Sequence, residues 1–559
     1  FFLFSALAGQ VAEKFDKAAI MRTVKWVEIG IMVVAALGLL THHFALLLTV
    51  LFLMGTHSTF FGPVKYSIIP QHLRSEEIVA GNGYVEAGTF LAILLGTIAG
   101  GSLIALADGP IVVSAGLFLC AFIGLATSYR IPRAPPPVPD LKLRYNPIGP
   151  TWAIFRFARQ RHSVFLAILG SSWFWFFGAA FLSLIGPLGK DLFHGDPSLI
   201  TAFLATFCVG IGIGSVGCAL LSSGHLELGL VPFGSLGLSV FSGLFFFLAS
   251  HIELTTSVVS AWDFAMNPWG LAIYADLFLI AAFGGFFIVP LYAMMQERSA
   301  VEHRSRIIAA NNVLNALFMV VASLFLMALF AFHVAIPAII LILALMNLAV
   351  AIYIYTLLPE FLLRFLVWIL AQLVYRVKVV GEKNIPRHGG VILVCNHVSF
   401  VDWLIIACGV HRPARFVMHK DYFAGIIGPL FRGAKVIPIA GAKEDPATLE
   451  AAFAQIRWEL EHKQVVCIFP EGTITYTGKM QGFRPGILKM LEATPVPVVP
   501  MALNNLWGSL FSRKDKNLLE KRPRRFGSRI ELRIGEPIAP EDVTLERLEE
   551  AVATLHTKA

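Results

Sequence analysis

Long apolar runs separated by short polar connections fill the first 357 residues. Their lengths suit a lipid bilayer, which an α-helix crosses in about 20 residues. They fall at about 1–10, 26–42, 44–62, 84–106, 110–128, 164–187, 198–222, 229–250, 269–295, 308–333 and 335–357, eleven segments with the first incomplete. Phe1 opens in mid-helix pattern without a preceding Met, so a further helix is expected ahead of it. From residue 358 the pattern changes. Residues 358–375 stay apolar but carry Arg364 and Trp368, as an interfacial lead-in would. Short runs of the buried-strand kind follow, at 391–395, 465–469 and 498–503, among polar and charged stretches. The pattern predicts a polytopic α-helical membrane bundle over 1–357, a lead-in over 358–375, and an α/β domain over 376–559.

Composition agrees with this division. The chain is 57% hydrophobic and 14% charged, against about 25% charged in an average soluble chain. Residues 1–357 hold 17 Lys+Arg and 16 Asp+Glu, whereas residues 358–559 hold 27 and 20, a net +7 in the last third. A basic soluble domain tethered to a membrane is drawn to anionic headgroups. No basic-aromatic array is present, so nucleic acid is not the expected partner. The basic stretch 513–525 suits membrane phosphates or the acidic face of an acyl carrier protein. The six Cys, at 120, 208, 218, 395, 408 and 467, have no metal-ligand spacing, so no metal site is expected and they read as buried free thiols.

Loop charge orients the bundle. One set of connections holds Lys14, Lys17, Arg22 and Lys25, then Lys65 and Arg74, then seven basic residues over 129–162, then Arg298, Arg304 and Arg306, whereas the opposite set holds only Lys190. Basic loops stay in the cytoplasm, which puts the α/β domain there too. The loop 129–162 has a Pro-rich core at 134–139 and parts the bundle into halves of about 1–128 and 163–357.

The stretch Gly9-Gln10-Val11-Ala12-Glu13-Lys14-Phe15-Asp16-Lys17 resembles the loop signature of the major facilitator superfamily, with Asp16 where a Gly is usual. The resemblance implies six plus six helices. It also implies a Gly9 that allows close helix packing, and an acidic-basic set, Glu13, Lys14 and Lys17, that ties the loop to neighbouring helix ends. Residues 61–70 and 285–298 further resemble the lysophospholipid transporter branch of that superfamily. Within the spans, Lys65, Tyr66, Glu86, Asp276, Asn311 and Asn312 are candidates for a transport path, since ionisable groups at membrane depth are costly and usually functional. Glu28 lies near a helix end, where interfacial solvation suffices.

The strand 391–395 runs into Asn396-His397-Val398-Ser399-Phe400-Val401-Asp402. His and Asp five apart would point about 140° from each other on one helix, at roughly 100° per residue. They meet only if the chain turns from strand into helix between them. So placed, His397 is a general base and Asp402 the carboxylate that orients it. A second strand ends in Phe469-Pro470-Glu471-Gly472-Thr473. The two motifs together resemble the glycerophospholipid acyltransferase family, which includes 1-acylglycerol-3-phosphate acyltransferases. Val498-Val499-Pro500-Met501-Ala502-Leu503 resembles that family's last motif, which lines the acyl-donor side. The resemblance implies His397 as base, Asp402 as its orienter, and Glu471 and Gly472 as acceptor binders. Asn396, Ser399, Phe469, Pro470, Thr473 and Pro500 would complete the site. Two cations usual in the family are missing, because Ile439 and Ile474 stand in their places; Arg432, Lys435 and Arg484 remain to replace them. A phosphomonoester carries close to two negative charges and a diester one, so fewer cations favour a diester acceptor.

A lysophospholipid transporter fused to an acyltransferase implies a bacterial inner-membrane protein that flips lysophospholipid and re-acylates it. The acyl thioester, of acyl carrier protein or coenzyme A, is a co-substrate, and no tightly bound cofactor is expected. Two other readings stay open: a biosynthetic lysophosphatidic acid acyltransferase with the helices as anchor or regulator, and a transporter whose soluble domain binds lipid without catalysis.

Overall fold

The computed structural model describes residues 4–144, 162–222, 229–252, 258–357, 374–386, 388–410, 412–425, 428–509, 511–512 and 527–557. The chain forms two compact units, Phe1–Ile354 and Tyr355–Ala559. The lead-in over 358–373, linker residues 145–161 and the basic stretch 513–525 lie outside the described residues.

The first unit is helical: α1 (Ser5–Lys14), α2 (Lys17–Leu40), α3 (Phe44–Ser67), α4 (Ile78–Ile104), α5 (Gly109–Ser128), α6 (His162–Pro187), α7 (Pro197–Leu221), α8 (Leu230–His251), α9 (Pro268–Arg298), α10 (Arg304–Ala331) and α11 (Ile336–Leu357). Among the described residues, ten helices are long and apolar enough to cross a membrane, each on one of the full-length apolar runs. Several run past the apolar stretch. α2 starts at Lys17, not near 26, because Asp16 caps it, accepting the Ala19 N–H at 3.1 Å. α4 starts at Ile78 and buries Asn82 and Glu86 among its neighbours. Polar turns packed between helices carry no hydropathy signal, so apolarity alone misplaces those ends. Four of the six free thiols are buried; Cys408 is half-buried and Cys120 faces outward from α5, where lipid is the solvent.

The second unit is a seven-stranded sheet covered on both faces. Its strands are β1 (Tyr375–Val380), β2 (Val391–Cys395), β3 (Ala414–His419), β4 (Ile437–Ile439), β5 (Val465–Ile468), β6 (Val498–Asn504) and β7 (Ser528–Ile534), in the order β1-β7-β6-β2-β5-β3-β4. Neighbours are parallel except β6 and β7. All five residues of β2 are buried, as a strand with both faces covered requires. Leu393 and Cys395 pack into one core with Ile405 and Phe416, whereas Ile392 and Val394 pack into the other with Ile456, Ile487 and Leu548. Tyr375, the last residue of the expected lead-in, is already the first of β1 and is 1% exposed.

Candidate functional site

β2 ends at Cys395, and a helix, α12 (Asp402–Gly409), begins seven residues later. The turn between them brings His397 Nδ1 to 2.7 Å from Asp402 Oδ2. The same oxygen accepts the N–H of Val398 at 2.6 Å and of Ser399 at 3.0 Å. Asp402 is fully buried. Burial pushes its carboxyl above the usual aspartate range, while the bond from His397 and the two peptide N–H groups pull it back. With Nδ1 committed to Asp402, Nε2 is the nitrogen left to meet a substrate, and the His397 side chain is 21% exposed.

The segment after β5 grips His397 from its other sides. Glu471 Oε1 accepts the His397 N–H at 2.7 Å, and the Thr475 N–H donates to the His397 carbonyl at 3.0 Å. The Phe469 ring stacks on the imidazole, centroids 4.3 Å apart and planes 17° off parallel. Glu471 Oε2 accepts the Gln481 N–H at 2.8 Å. Both oxygens of this buried carboxylate therefore serve the backbone. Burial raises the Glu471 pKa, and the two N–H bonds oppose the rise. Gly472 has a φ of +69°, and a Cβ there would lie 2.7 Å from Arg484 Cζ. Glycine alone suits both the backbone and the close approach.

The helical unit holds a second polar cluster where its two halves meet. The Tyr66 hydroxyl donates to Glu86 Oε1, and the Tyr66 ring stacks on Tyr292 with centroids 4.4 Å apart. Lys65 Nζ donates to Thr89 Oγ1 at 2.7 Å. Asn82 on α4 and Gln296 on α9 exchange amide bonds of 2.6 and 2.9 Å, and Gln296 Nε2 also donates to the Tyr66 carbonyl at 3.0 Å. Glu13 receives Arg306 Nε at 2.5 Å and the Arg306 N–H at 3.2 Å. A Cβ on Gly9 would lie 2.9 Å from Ala309 Cβ, so α1 and α10 touch closely there. Lys17 is 2% exposed, and its N–H donates to the Ala134 carbonyl at 3.2 Å; Lys14 Nζ lies 5.8 Å from the centre of the Phe15 ring.

Residues 376–504 match the family model described as acyltransferase, and residues 1–241 match the one described as transmembrane secretion effector. The lysophospholipid transporter LplT of Serratia proteamaculans (strain 568) is 30% identical over 310 residues, spanning 53% of this chain and 68% of that protein. The chain belongs to the lysophospholipid transporter LplT family. The LplT of Enterobacter sp. (strain 638) is 28% identical over 309 residues, with the same 53% and 68% covered. Among solved structures, the 1-acyl-sn-glycerophosphate acyltransferase PlsC of Thermotoga maritima is 22% identical and covers 36% of this chain and 80% of its own, with a TM-score of 0.27. The E. coli fucose:proton symporter FucP is 14% identical and covers 63% of this chain and 87% of its own, with a TM-score of 0.47. The protein is thus a multi-pass membrane chain of the LplT family fused to an acyltransferase domain. The count of six plus six helices stays an expectation of the resemblance.

In this LplT-family chain the expected acyltransferase residues divide in two. His397, Asp402, Phe469, Pro470, Glu471, Gly472 and Thr473 gather at the ends of β2 and β5. Asn396, Ser399 and Pro500 belong to the scaffold instead. Asn396 Oδ1 accepts the Leu503 N–H at 2.7 Å and its Nδ2 donates to the Leu503 carbonyl at 3.2 Å, tying β2 to β6. Ser399 Oγ donates to the Phe511 carbonyl at 2.9 Å. Pro500 sits mid-strand, its carbonyl accepting the Gly535 N–H at 2.8 Å. Arg432 and Lys435 lead into β4, the edge strand three places from β2, about 14 Å away at the usual strand spacing. Ile474 is 5% exposed, so a buried apolar side chain fills the place of the missing cation. Ile439 likewise packs against a core cluster.

The path residues divide as well. Lys65, Tyr66 and Glu86 cluster, and Asn311 is fully buried on α10. Asn312 Nδ2 lies 2.7 Å from where a Cβ on Gly62 would be, on the α3 side. Asp276 stands apart, sixteen residues before Tyr292 on α9, about 24 Å along the axis at 1.5 Å per residue. It is 2% exposed, and no described residue hydrogen-bonds either of its oxygens. Thr475, Gln481, Asn82 and Tyr292 went unforeseen. Their partners lie up to 226 residues away, as Tyr66 does from Tyr292, and no local spacing marks them.

Proposed function

We propose that the protein carries lysophospholipid across the bacterial inner membrane and re-acylates it from an acyl thioester on the cytoplasmic side, a phospholipid-repair role. The observation that carries this reading is the His397–Asp402 pair, with Nε2 open to substrate, in one chain with an LplT-family transporter. His397 Nε2 takes the proton of the lysophospholipid's free glycerol hydroxyl as its oxygen attacks the thioester carbonyl carbon. Asp402 holds Nδ1 protonated and stabilises the imidazolium that forms. The tetrahedral intermediate collapses with cleavage of the C–S bond, and the imidazolium returns its proton to the departing thiolate. The donor is acyl carrier protein or coenzyme A. The acceptor is a diester, lysophosphatidylethanolamine or lysophosphatidylglycerol.

Proteoliposomes test both steps together. Labelled lysophosphatidylethanolamine is added outside, and acyl thioester is sealed inside with the acyltransferase domain. Diacyl product should form only with both parts active. Acylation confined to lysolipid that starts in the donor-facing leaflet would leave the helices an anchor and refute the coupled reading.

A further inference from the structure

We propose that Arg484 binds the acceptor's phosphate and is the residue through which this domain recognises a phosphodiester headgroup. The proposal rests on the acceptor being a lysophospholipid. An anionic acceptor beside His397 needs a cation there, and the positions the family resemblance supplies do not provide one. Ile474 is apolar and buried, while Arg432 and Lys435 lie toward the far edge of the sheet.

Arg484 is placed for the task by the fold. Its own N–H donates to the Pro470 carbonyl at 2.9 Å, which pins it beside the turn that follows β5. Its guanidinium lies flat against Gly472, with Cζ, Nε and Nη1 at 2.7, 2.8 and 2.9 Å from the place of a Cβ. Gly472 follows Glu471, which holds the His397 N–H. The guanidinium is therefore one residue removed from the grip on the base.

The group is also unspent. Arg484 is exposed, and among the described residues no hydrogen bond or ion pair engages its guanidinium. Glu471, in the turn against which the guanidinium packs, gives both oxygens to peptide N–H groups. A guanidinium offers five N–H donors in a planar fork suited to two phosphate oxygens. One such charge balances the single charge of a diester and falls short of a monoester. The glycine of the Phe-Pro-Glu-Gly-Thr turn thus has a second task here: it leaves room for the arginine.

The test uses the full-length protein in detergent with purified acyl thioester. The kcat/KM for lysophosphatidylethanolamine is compared with that for monoacylglycerol, which has the hydroxyl but no phosphate. Arg484→Gln should lower the ratio of the two about tenfold or more, mostly through KM, and Arg484→Lys should restore part of it. A scaffold defect would lower both acceptors and leave the ratio as it was, which would overturn the proposal. As an arm independent of turnover, glycerophosphoethanolamine should protect Arg484, and not Arg432, from phenylglyoxal, read by peptide mass. Absence of that protection overturns the proposal. Protection without any acyl transfer would keep the phosphate site and refute the acylation reading instead.

Discussion

Glu471→Gln separates two roles that the motif leaves entangled. If Glu471 binds the acceptor, the substitution weakens substrate binding. The geometry gives it another role, since one oxygen holds the His397 N–H at 2.7 Å and the other the Gln481 N–H at 2.8 Å. Glutamine keeps one acceptor oxygen and turns an NH2 toward the second donor, so one buried N–H loses its partner. A hydrogen bond to a charged group contributes about 1.5–3 kcal/mol. At 1.4 kcal/mol per decade, kcat should fall about 10- to 100-fold if the loss appears as displacement of the base. KM for lysophosphatidylethanolamine should stay near its starting value. Steady-state assays on the full chain with varied acceptor measure both. A raised KM with kcat retained would show that Glu471 touches the acceptor and refute the positioning role.

The same carboxyl has a pH signature. Its pKa is raised by burial, so between the ordinary value and the raised one the folded chain holds a proton that the unfolded chain has released. Its contribution to stability is therefore fullest below that window and falls as pH rises through it. Activity should run the other way, because the ionised carboxylate is what accepts both N–H groups. The acidic limb of kcat should thus change shape in Glu471→Gln, which carries no proton to lose.

Four further outcomes are expected. His397→Ala should abolish acyl transfer in detergent while lysolipid uptake into proteoliposomes continues; transfer near the native rate would sink the proposed base. Asp402→Asn should cost about 10³- to 10⁴-fold in kcat by misplacing the imidazole proton, and a cost below tenfold would deny Asp402 its orienting role. Cysteines at Asn82 and Gln296, whose amides now bond across the two halves, should cross-link under oxidation, stop lysolipid movement and spare acylation until reduced; transport by the cross-linked protein would show that these helices need not part. Equimolar competition should favour lysophosphatidylethanolamine or lysophosphatidylglycerol over lysophosphatidic acid, and the reverse order would restore the biosynthetic reading.

What could be read from the sequence follows physical lines. The ten full spans were legible because lipid demands about 20 apolar residues at a stretch, and no other constraint writes so long a signal. Their ends were not, because Asp16 and Asn82 act through one hydrogen bond or one helix contact. The His397–Asp402 pair was legible because five residues of separation forbid the pairing on one helix, so the chain must turn. Asn396, Ser399 and Glu471 bond peptide groups that the motif does not reveal. An amide, a hydroxyl or a carboxylate in a motif can face a ligand or a peptide group, and residue type does not say which.

Hydrogen-bonding capacity resolves that ambiguity residue by residue. A buried polar group is almost always satisfied, so one whose atoms are all taken by the backbone has little left for a substrate. Asn396 gives both side-chain ends to Leu503, and Asp402 gives one oxygen to His397 and two peptides. Glu471 divides its two oxygens between His397 and Gln481. Among the described residues, Asp402 Oδ1 is also unpartnered but sealed inside, whereas His397 Nε2 and the guanidinium of Arg484 keep capacity where a substrate can reach. One can take a proton and the other can hold a phosphate, and a lysophospholipid presents a hydroxyl and a phosphodiester on one glycerol. The division of labour inferred for the site follows from that remainder: acids build the frame, and the two groups with capacity to spare meet the lipid.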